Sequence, residues 1–490
     1  MRISGHLARI VPHLLLFALA LHIRLAGQHA ALLYPDGYQY LLMARGIGEH
    51  LRPTTVLGHG GEAFVPSADA AAKPLFPLLV AALHALGASW LGAARIVTAA
   101  AGASTIVLAA LLTLRLTGSR LAGASAALLL LASPSLGFWS GFSGPDPLAQ
   151  ALGLGAALAF VHRSPRLGGV LTALAVAARP ELLVVALAAA TVGARDAETR
   201  AEAGRAALAS TLTLALILGA IRPPIAMPDL ELVWLAPLLL VAVGLALAAP
   251  RSRIPVGVAV VVGLGAVAVG SLTAPGLVGL WSDDWPLLGL GLAGFAVAAL
   301  DRSRRSAALK VLLIGVLLGA VYWVKNPTLE RYFVLLLPLA ALLAGLGVAT
   351  LPRPGRRLAT GAVALAVVAG FLRAPAPEAR QPDVFSAVAT RLSRSLPSSE
   401  PLVTAAPDAY GFWLPTQPVR TMRPGARGMI LLDAAQRSYA PELGARGRIV
   451  ARFEDEMAFV RPGGEIDAGP AVLVAGRVVL ARSRALPTPS

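Results

Sequence analysis

Apolar runs long enough to cross about 30 Å of hydrocarbon recur along most of the first 373 residues, separated by short stretches that carry arginine. No other feature constrains the chain as much. In hydrocarbon every backbone N–H and C=O must find its partner inside the protein, so such runs can only be helices or a closed barrel. Runs of this length and continuity specify helices. Composition agrees: 56% of residues are hydrophobic and 14% charged, with mean hydropathy +0.71, against about 45–50% and 25% in soluble domains. The expected fold class is an all-α polytopic membrane protein.

Reading apolar runs between charged breaks gives spans at 10–26, 95–114, 121–137, 147–161, 167–178, 181–194, 205–221, 231–249, 254–272, 286–300, 307–324, 332–350 and 358–373. The run 74–90 holds Pro74, Pro77 and His84 and is read as a juxtamembrane or re-entrant helix. The first run follows Arg2 and Arg9, carries His22 and Arg24 near its far end and lacks a small-residue cleavage site. It is therefore expected to be a retained span rather than a signal peptide. With the N-terminus cytoplasmic, Arg115 and Arg120, Arg163 and Arg166, Arg195 and Arg200, Arg251 and Arg253, Arg302 to Arg305, and Arg353 to Arg357 fall in inner loops. The short outer loops after residue 100 hold only Arg179, Arg222, Lys325 and Arg331. That asymmetry follows the positive-inside rule. It also explains the net charge of +16 without nucleic acid as a partner.

Thirteen crossings place the C-terminus outside. From Ala374 the sequence turns polar and proline-rich, with β-like runs at 402–405, 429–432, 448–453 and 471–480. The expected division is a membrane domain over 1–373 and a small extracytoplasmic α/β domain over 374–490. The chain has no cysteine, which excludes disulfides, thiolate metal sites and a Cys nucleophile.

The polar residues that loop charge does not explain gather on the outer side: Asp36 in Pro35-Asp36-Gly37, Lys73 before Pro74, Asp146 between Pro145 and Pro147, Arg179 before Pro180, and Arg331-Tyr332. Ionisable groups at membrane depth usually line a cavity or pathway. Two carboxylates facing several cations suit an anionic lipid phosphate together with a sugar hydroxyl. For Asp36 three readings stand: general base toward an acceptor hydroxyl, ligand of a divalent metal ion, or cap of a helix over 38–49. Asp146 either joins that chemistry or starts a helix with Pro147 in its first turn. Arg179 has Glu181 as a local partner, Lys73 and Arg331 read either as phosphate contacts or as snorkelling side chains, and Tyr332 doubles as an interfacial aromatic. Gly289-x-Gly291-x-x-Gly294 matches a dinucleotide pattern but lies inside an apolar span, where close helix packing explains it better. Asp283-Asp284, flanked by Trp281 and Trp285, reads as a polar outer turn beside an aromatic belt or as a cation or sugar site.

At these residues the chain resembles the C-type glycosyltransferase superfamily, in particular its aminoarabinose-transferase and protein O-mannosyltransferase branch. There an acidic motif follows the first span, a Lys-Pro segment begins a juxtamembrane helix, an Asp precedes a later span, a basic residue before Pro or Gly ends a short helix, and an Arg-Tyr pair opens a late span. The matching segments here are Pro35-Asp36-Gly37, Lys73-Pro74, Asp146-Pro147, Arg179-Pro180 and Arg331-Tyr332. The resemblance covers about residues 10–200, and 320–350 more loosely. It implies an inverting transfer on the outer face of the plasma membrane, from a polyprenyl-phosphate-linked sugar donor to a lipid, glycan or protein acceptor. It gives Asp36 the base or metal role, and Lys73, Arg179 and Arg331 the donor phosphate. The chain departs from the pattern at Gly37, where relatives often have a second acid, and at Ala72, where some have Glu. Those departures keep two other readings open, a lipid-linked sugar flippase or transporter and a catalytically inactive scaffold of envelope assembly.

Overall fold

The computed structural model describes residues 2–26, 35–51, 54–55, 65–66, 73–141, 144–180, 182, 275–325, 333–373, 384–397, 399–433, 436–437, 440, 442–453 and 471–480. The expected spans 181–194 (apart from Leu182), 205–221, 231–249 and 254–272 lie outside the described residues, as do Arg331 and Tyr332. The described residues are mostly helical, with a five-stranded sheet and a two-stranded one, and internal contacts divide the chain into two units.

The first unit takes in residues 1–28, 71–76 and 95–376. Among the described residues three helices are long and apolar enough to cross a membrane: Trp90–Thr117, Gly279–Leu300 and Arg353–Arg373. Arg120–Leu131 and Pro134–Ser140, bent by 65° against each other, make a fourth if counted as one broken span. The run 121–137 was expected to be continuous, and it is not. Ser133 and Pro134 carry the signature of a new helix start: the Ser133 hydroxyl accepts from the Leu136 backbone N–H at 3.1 Å, and proline occupies the first helical position. A second break lies in the helix Pro275–Leu300, where Asp284 leaves helical geometry at φ −113°, ψ 21°. Pro286 follows two residues later and has no N–H for the ladder.

The helix Pro275–Leu300 packs on Leu337–Thr350 through glycine. A Cβ on Gly294 would overlap the Leu343 carbonyl, and one on Gly347 would overlap the Gly294 backbone. Small residues let apolar helices approach where lipid supplies no hydrophobic drive between them. The close-packing reading of the glycine motif therefore holds for Gly291 and Gly294, but a Cβ on Gly289 would meet nothing within 4 Å.

The second unit takes in residues 29–70, 77–94 and 377–490. It holds the helices Pro35–His50 and Leu75–Ala85 (the latter largely), the two-residue strands β1 (Thr54–Thr55) and β2 (Val65–Pro66), and the tail. Leu75–Ala85 has 11 residues, about 16 Å at 1.5 Å per residue, roughly half of the hydrocarbon thickness. In the tail, β3 (Leu402–Thr404), β4 (Val419–Thr421), β5 (Arg427–Leu432), β6 (Leu443–Phe453) and β7 (Ala471–Leu480) form a sheet of order β4-β3-β5-β7-β6. β4, β3 and β5 run parallel, while β7 and β6 are antiparallel additions. The helix Pro407–Trp413 makes the crossover from β3 to β4, as a parallel pair requires. One face of the sheet buries Val403, Ile430, Val474 and Val478. An aromatic cluster ties the helix Pro35–His50 to the tail: Tyr38 stands edge-on to Phe385, and its hydroxyl accepts from Trp413 Nε1 at 3.0 Å.

Candidate active site

Two consecutive helices, Asp146–Val161 and Pro165–Ala178, build the best-defined part of the site. The first ends in a turn in which Arg163 adopts a left-handed φ of 58°. There the Ser164 N–H reaches the Ala159 carbonyl at 2.9 Å and the Arg163 N–H reaches Phe160 at 3.0 Å, the paired bonds of a Schellman motif. Pro165 then starts the return helix at once. The Phe160 ring lies over Gly168, where a Cβ would overlap it, so the two helices run back along each other. They measure about 24 and 21 Å, and the chain returns to the end where it entered.

Asp146 and Arg179 occupy that end. Pro180 disfavours helical geometry in the residue before it, and Arg179 is extended, at φ −149°, ψ 107°. Its guanidinium Nη2 pairs with Asp146 Oδ1, and the two side chains are 1% and 10% exposed. Each charge also sits on the favourable pole of its helix, the carboxylate in a first turn and the guanidinium at a C-terminus. Asp146 thus does start a helix, and Arg179 has a partner beyond local sequence; Glu181 lies outside the described residues. One turn along, Gln150 donates its side-chain N–H to the Val334 carbonyl at 3.1 Å, also buried. Val334 opens the short 3₁₀ turn Val334–Leu336 that leads into Leu337–Thr350. The two helices of the hairpin and a turn 184 residues away therefore meet beside this ion pair.

Lys73 belongs to the same unit, is half-buried, and makes no hydrogen bond or ion pair among the described residues. Asp36 belongs to the other unit. The helix there begins at Pro35, so Asp36 stands inside the first turn rather than capping a helix that starts at 38; its side chain lies outside the described residues. Among the described residues no three His, Asp or Glu side chains gather where they could hold a metal ion, and Asp146 is already taken by Arg179.

A second set of buried polar groups joins Arg24 and Asp284, which the sequence reading had not brought together. Arg24, 4% exposed, donates from Nη2 to the Leu130 carbonyl at 3.0 Å, and Asp284, 1% exposed, accepts from the Ser135 backbone N–H at 3.2 Å. Arg24 also lies in the electrostatic field of Asp284. Asp284 therefore lies at a kink within a helix rather than in a loop, and the kink brings it against the break at Ser133. The available signal was Ser133-Pro134 and Asp284-x-Pro286, two helix-breaking pairs inside apolar runs.

No protein-family model matches the sequence, and no curated protein matches it significantly. Solved structures do match in fold. ArnT from Cupriavidus metallidurans in the apo state superposes with a TM-score of 0.57 at 14% identity, covering 96% of this chain and 98% of that one. The same protein bound to undecaprenyl phosphate gives 0.56 at 14% identity, over 95% and 98%. The oligosaccharyltransferase AglB from Archaeoglobus fulgidus, in complex with an inhibitory peptide and a dolichol-phosphate, gives 0.58 at 13% identity, over 93% and 74%. These are integral-membrane glycosyltransferases of the C type, and this chain has their fold.

Proposed function

We propose that the chain is an integral-membrane glycosyltransferase that moves a sugar from a polyprenyl-phosphate-linked donor to a lipid, glycan or protein acceptor at the outer face of the plasma membrane. The observation that carries this reading is the buried Asp146–Arg179 pair at the open end of a helical hairpin, in a fold shared with ArnT bound to undecaprenyl phosphate. A guanidinium held at membrane depth is the group for a phosphate, which it meets with paired N–H donors.

In the proposed reaction the acceptor hydroxyl oxygen attacks the anomeric carbon of the donor sugar. The bond from that carbon to the phosphate oxygen breaks, with inversion, and Asp36 takes the hydroxyl proton. The polyprenyl phosphate departs with its negative charge met by Lys73, Arg179 and Arg331, with Tyr332 beside them. Asp146 acts through Arg179 as a positioning residue: its carboxylate holds the guanidinium in one orientation.

The test uses detergent-purified, folded protein. Undecaprenyl phosphate itself is titrated first, and Lys73→Ala, Arg179→Ala and Arg331→Ala are each expected to weaken its binding. Transfer from a radiolabelled polyprenyl-phosphate sugar then reports on Asp36→Asn. Loss of roughly 10²–10⁴-fold is expected for a general base; unchanged transfer removes Asp36 from the mechanism. Passage of the labelled lipid across a liposome without bond cleavage would make the chain a transporter.

A further inference from the structure

Within the second unit the tail grips the helix that carries Asp36. Gly37 to Ala44, two full turns of Pro35–His50, are all buried. Tyr38, two residues past Asp36, has no exposed surface. Its ring stands edge-on to Phe385, with centroids 5.3 Å apart, and lies 5.6 Å from that of Phe412. Its hydroxyl accepts from Trp413 Nε1 at 3.0 Å. The helix Pro407–Trp413, which supplies Phe412 and Trp413, is fastened to the sheet in turn. Its Tyr410 hydroxyl donates at 2.7 Å to Asp433, the residue after β5, and the Tyr410 ring stands edge-on to Phe385 at 5.5 Å.

Docking of the tail is the first explanation to consider. Apolar rings achieve that alone, because aromatic clusters hold together without polar groups. The Trp413–Tyr38 bond adds what ring packing lacks, a fixed direction. Phenylalanine at both places would leave no buried donor or acceptor to satisfy. The bond also falls where the helix is weakest. The first four N–H groups of a helix have no partner within it, so helix ends fray, and Asp36 stands in the first turn.

We infer that Trp413 is a positioning residue for the transfer reaction: through the Tyr38 hydroxyl it fixes the rotation of the first helical turn, and so the backbone that carries Asp36. The inference rests on the proposed role of Asp36 as general base. A catalytic group has to be held within about 0.5 Å and 10–20° by neighbours whose own rotamers are locked. A displacement of about 1 Å caused from outside the site can cost about 10²-fold in rate. Tyr38 is such a neighbour, with Phe385 and Phe412 against its ring and Trp413 on its hydroxyl. The tail thereby takes part in the chemistry without touching substrate.

The test uses the full chain in detergent and a radiolabelled polyprenyl-phosphate sugar. Trp413→Phe keeps a ring and loses the N–H; Tyr38→Phe keeps the ring and loses the acceptor. Each is expected to lower kcat by about 10²-fold, with the donor KM and undecaprenyl phosphate binding unchanged. The double variant should lose no more than Tyr38→Phe alone, since both changes remove one bond. Val474→Ala, a cavity in the tail's own core, is the control for stability: it should lower the unfolding temperature and leave kcat as it was. If Trp413→Phe leaves kcat unchanged while Asp36→Asn abolishes transfer, the inference is overturned and the base role stands. If kcat falls in step with the unfolding temperature in Val474→Ala too, the contact only docks the tail and the inference is again overturned. Unchanged transfer in Asp36→Asn removes the base role, and the inference with it.

Discussion

The first unit buries two sets of charges and answers them differently. Arg24 and Asp284 are bound to backbone beside the helix break at Ser133: one takes the carbonyl of Leu130 and the other supplies an acceptor for the N–H of Ser135. Asp146 and Arg179 are bound to each other, the carboxylate in the first turn of one helix and the guanidinium just past the end of the next. The first set does work that the fold requires, because a broken helix in an apolar surrounding leaves polar groups that must be satisfied. The second set is an ion pair between side chains. A buried ion pair is weak evidence for stability, which makes Asp146–Arg179 the better candidate for chemistry.

The sharpest way to break this comparison is Asp146→Ala, which strands the Arg179 guanidinium. A loss of about 3–5 kcal/mol is expected, read by thermal unfolding in detergent, with transfer lost as well. The paired change Asp146→Leu with Arg179→Met should restore most of that stability and none of the transfer. Recovery of transfer in the pair would mean that these charges only hold the hairpin together.

Asp284→Ala should cost about 1–3 kcal/mol, the penalty for a buried N–H left without its acceptor. Asp284→Asn keeps an oxygen for Ser135 and should recover most of it, with transfer retained in both folded variants. A selective loss of transfer in Asp284→Asn would move this second set into the active site. Gly294→Ala probes packing without charge: the added methyl overlaps the Leu343 carbonyl, and a comparable loss of about 1–3 kcal/mol is expected from overpacking.

The smallest effect is expected in the tail, which offers a third way of burying a carboxylate. Asp433 is buried, accepts from the Tyr410 hydroxyl at 2.7 Å and from the Gln436 N–H at 2.8 Å. Burial outweighs these bonds and pushes its pKa above the ordinary carboxylate value. The neutral form is thus favoured in the folded state. Its contribution to stability is complete below the unfolded pKa, about 3.9, and is lost as pH rises through the folded pKa. Trp413 fluorescence during unfolding should therefore show the tail losing stability from acid toward neutral pH. Asp433→Asn should flatten that dependence.

Some of this was legible in local sequence. Pro145-Asp146-Pro147 and Arg179-Pro180 marked the ends of two short helices, and both ends are where the residues indicated. The runs 402–405, 429–432 and 471–480 found β3, β5 and β7. β4 was missed, since Val419-Arg420-Thr421 is too short to show alternation. The early part of β6 was missed because Leu443-Gly-Ala-Arg-Gly-Arg448 reads as a turn. The kink at Asp284 was misread because a polar pair between tryptophans looks like an interfacial loop when its partner, 149 residues away, is unseen.

By itself, then, the amino-acid order determined the class of protein and the places where its helices stop. Those properties rest on contiguous residues: the length of an apolar run, the missing N–H of a proline, the charge carried by a loop. Only the tertiary structure decided which polar group meets which, Asp146 with Arg179, Asp284 with the break at Ser133, Trp413 with Tyr38. Such pairings are settled by packing across long separations, and no local pattern records them.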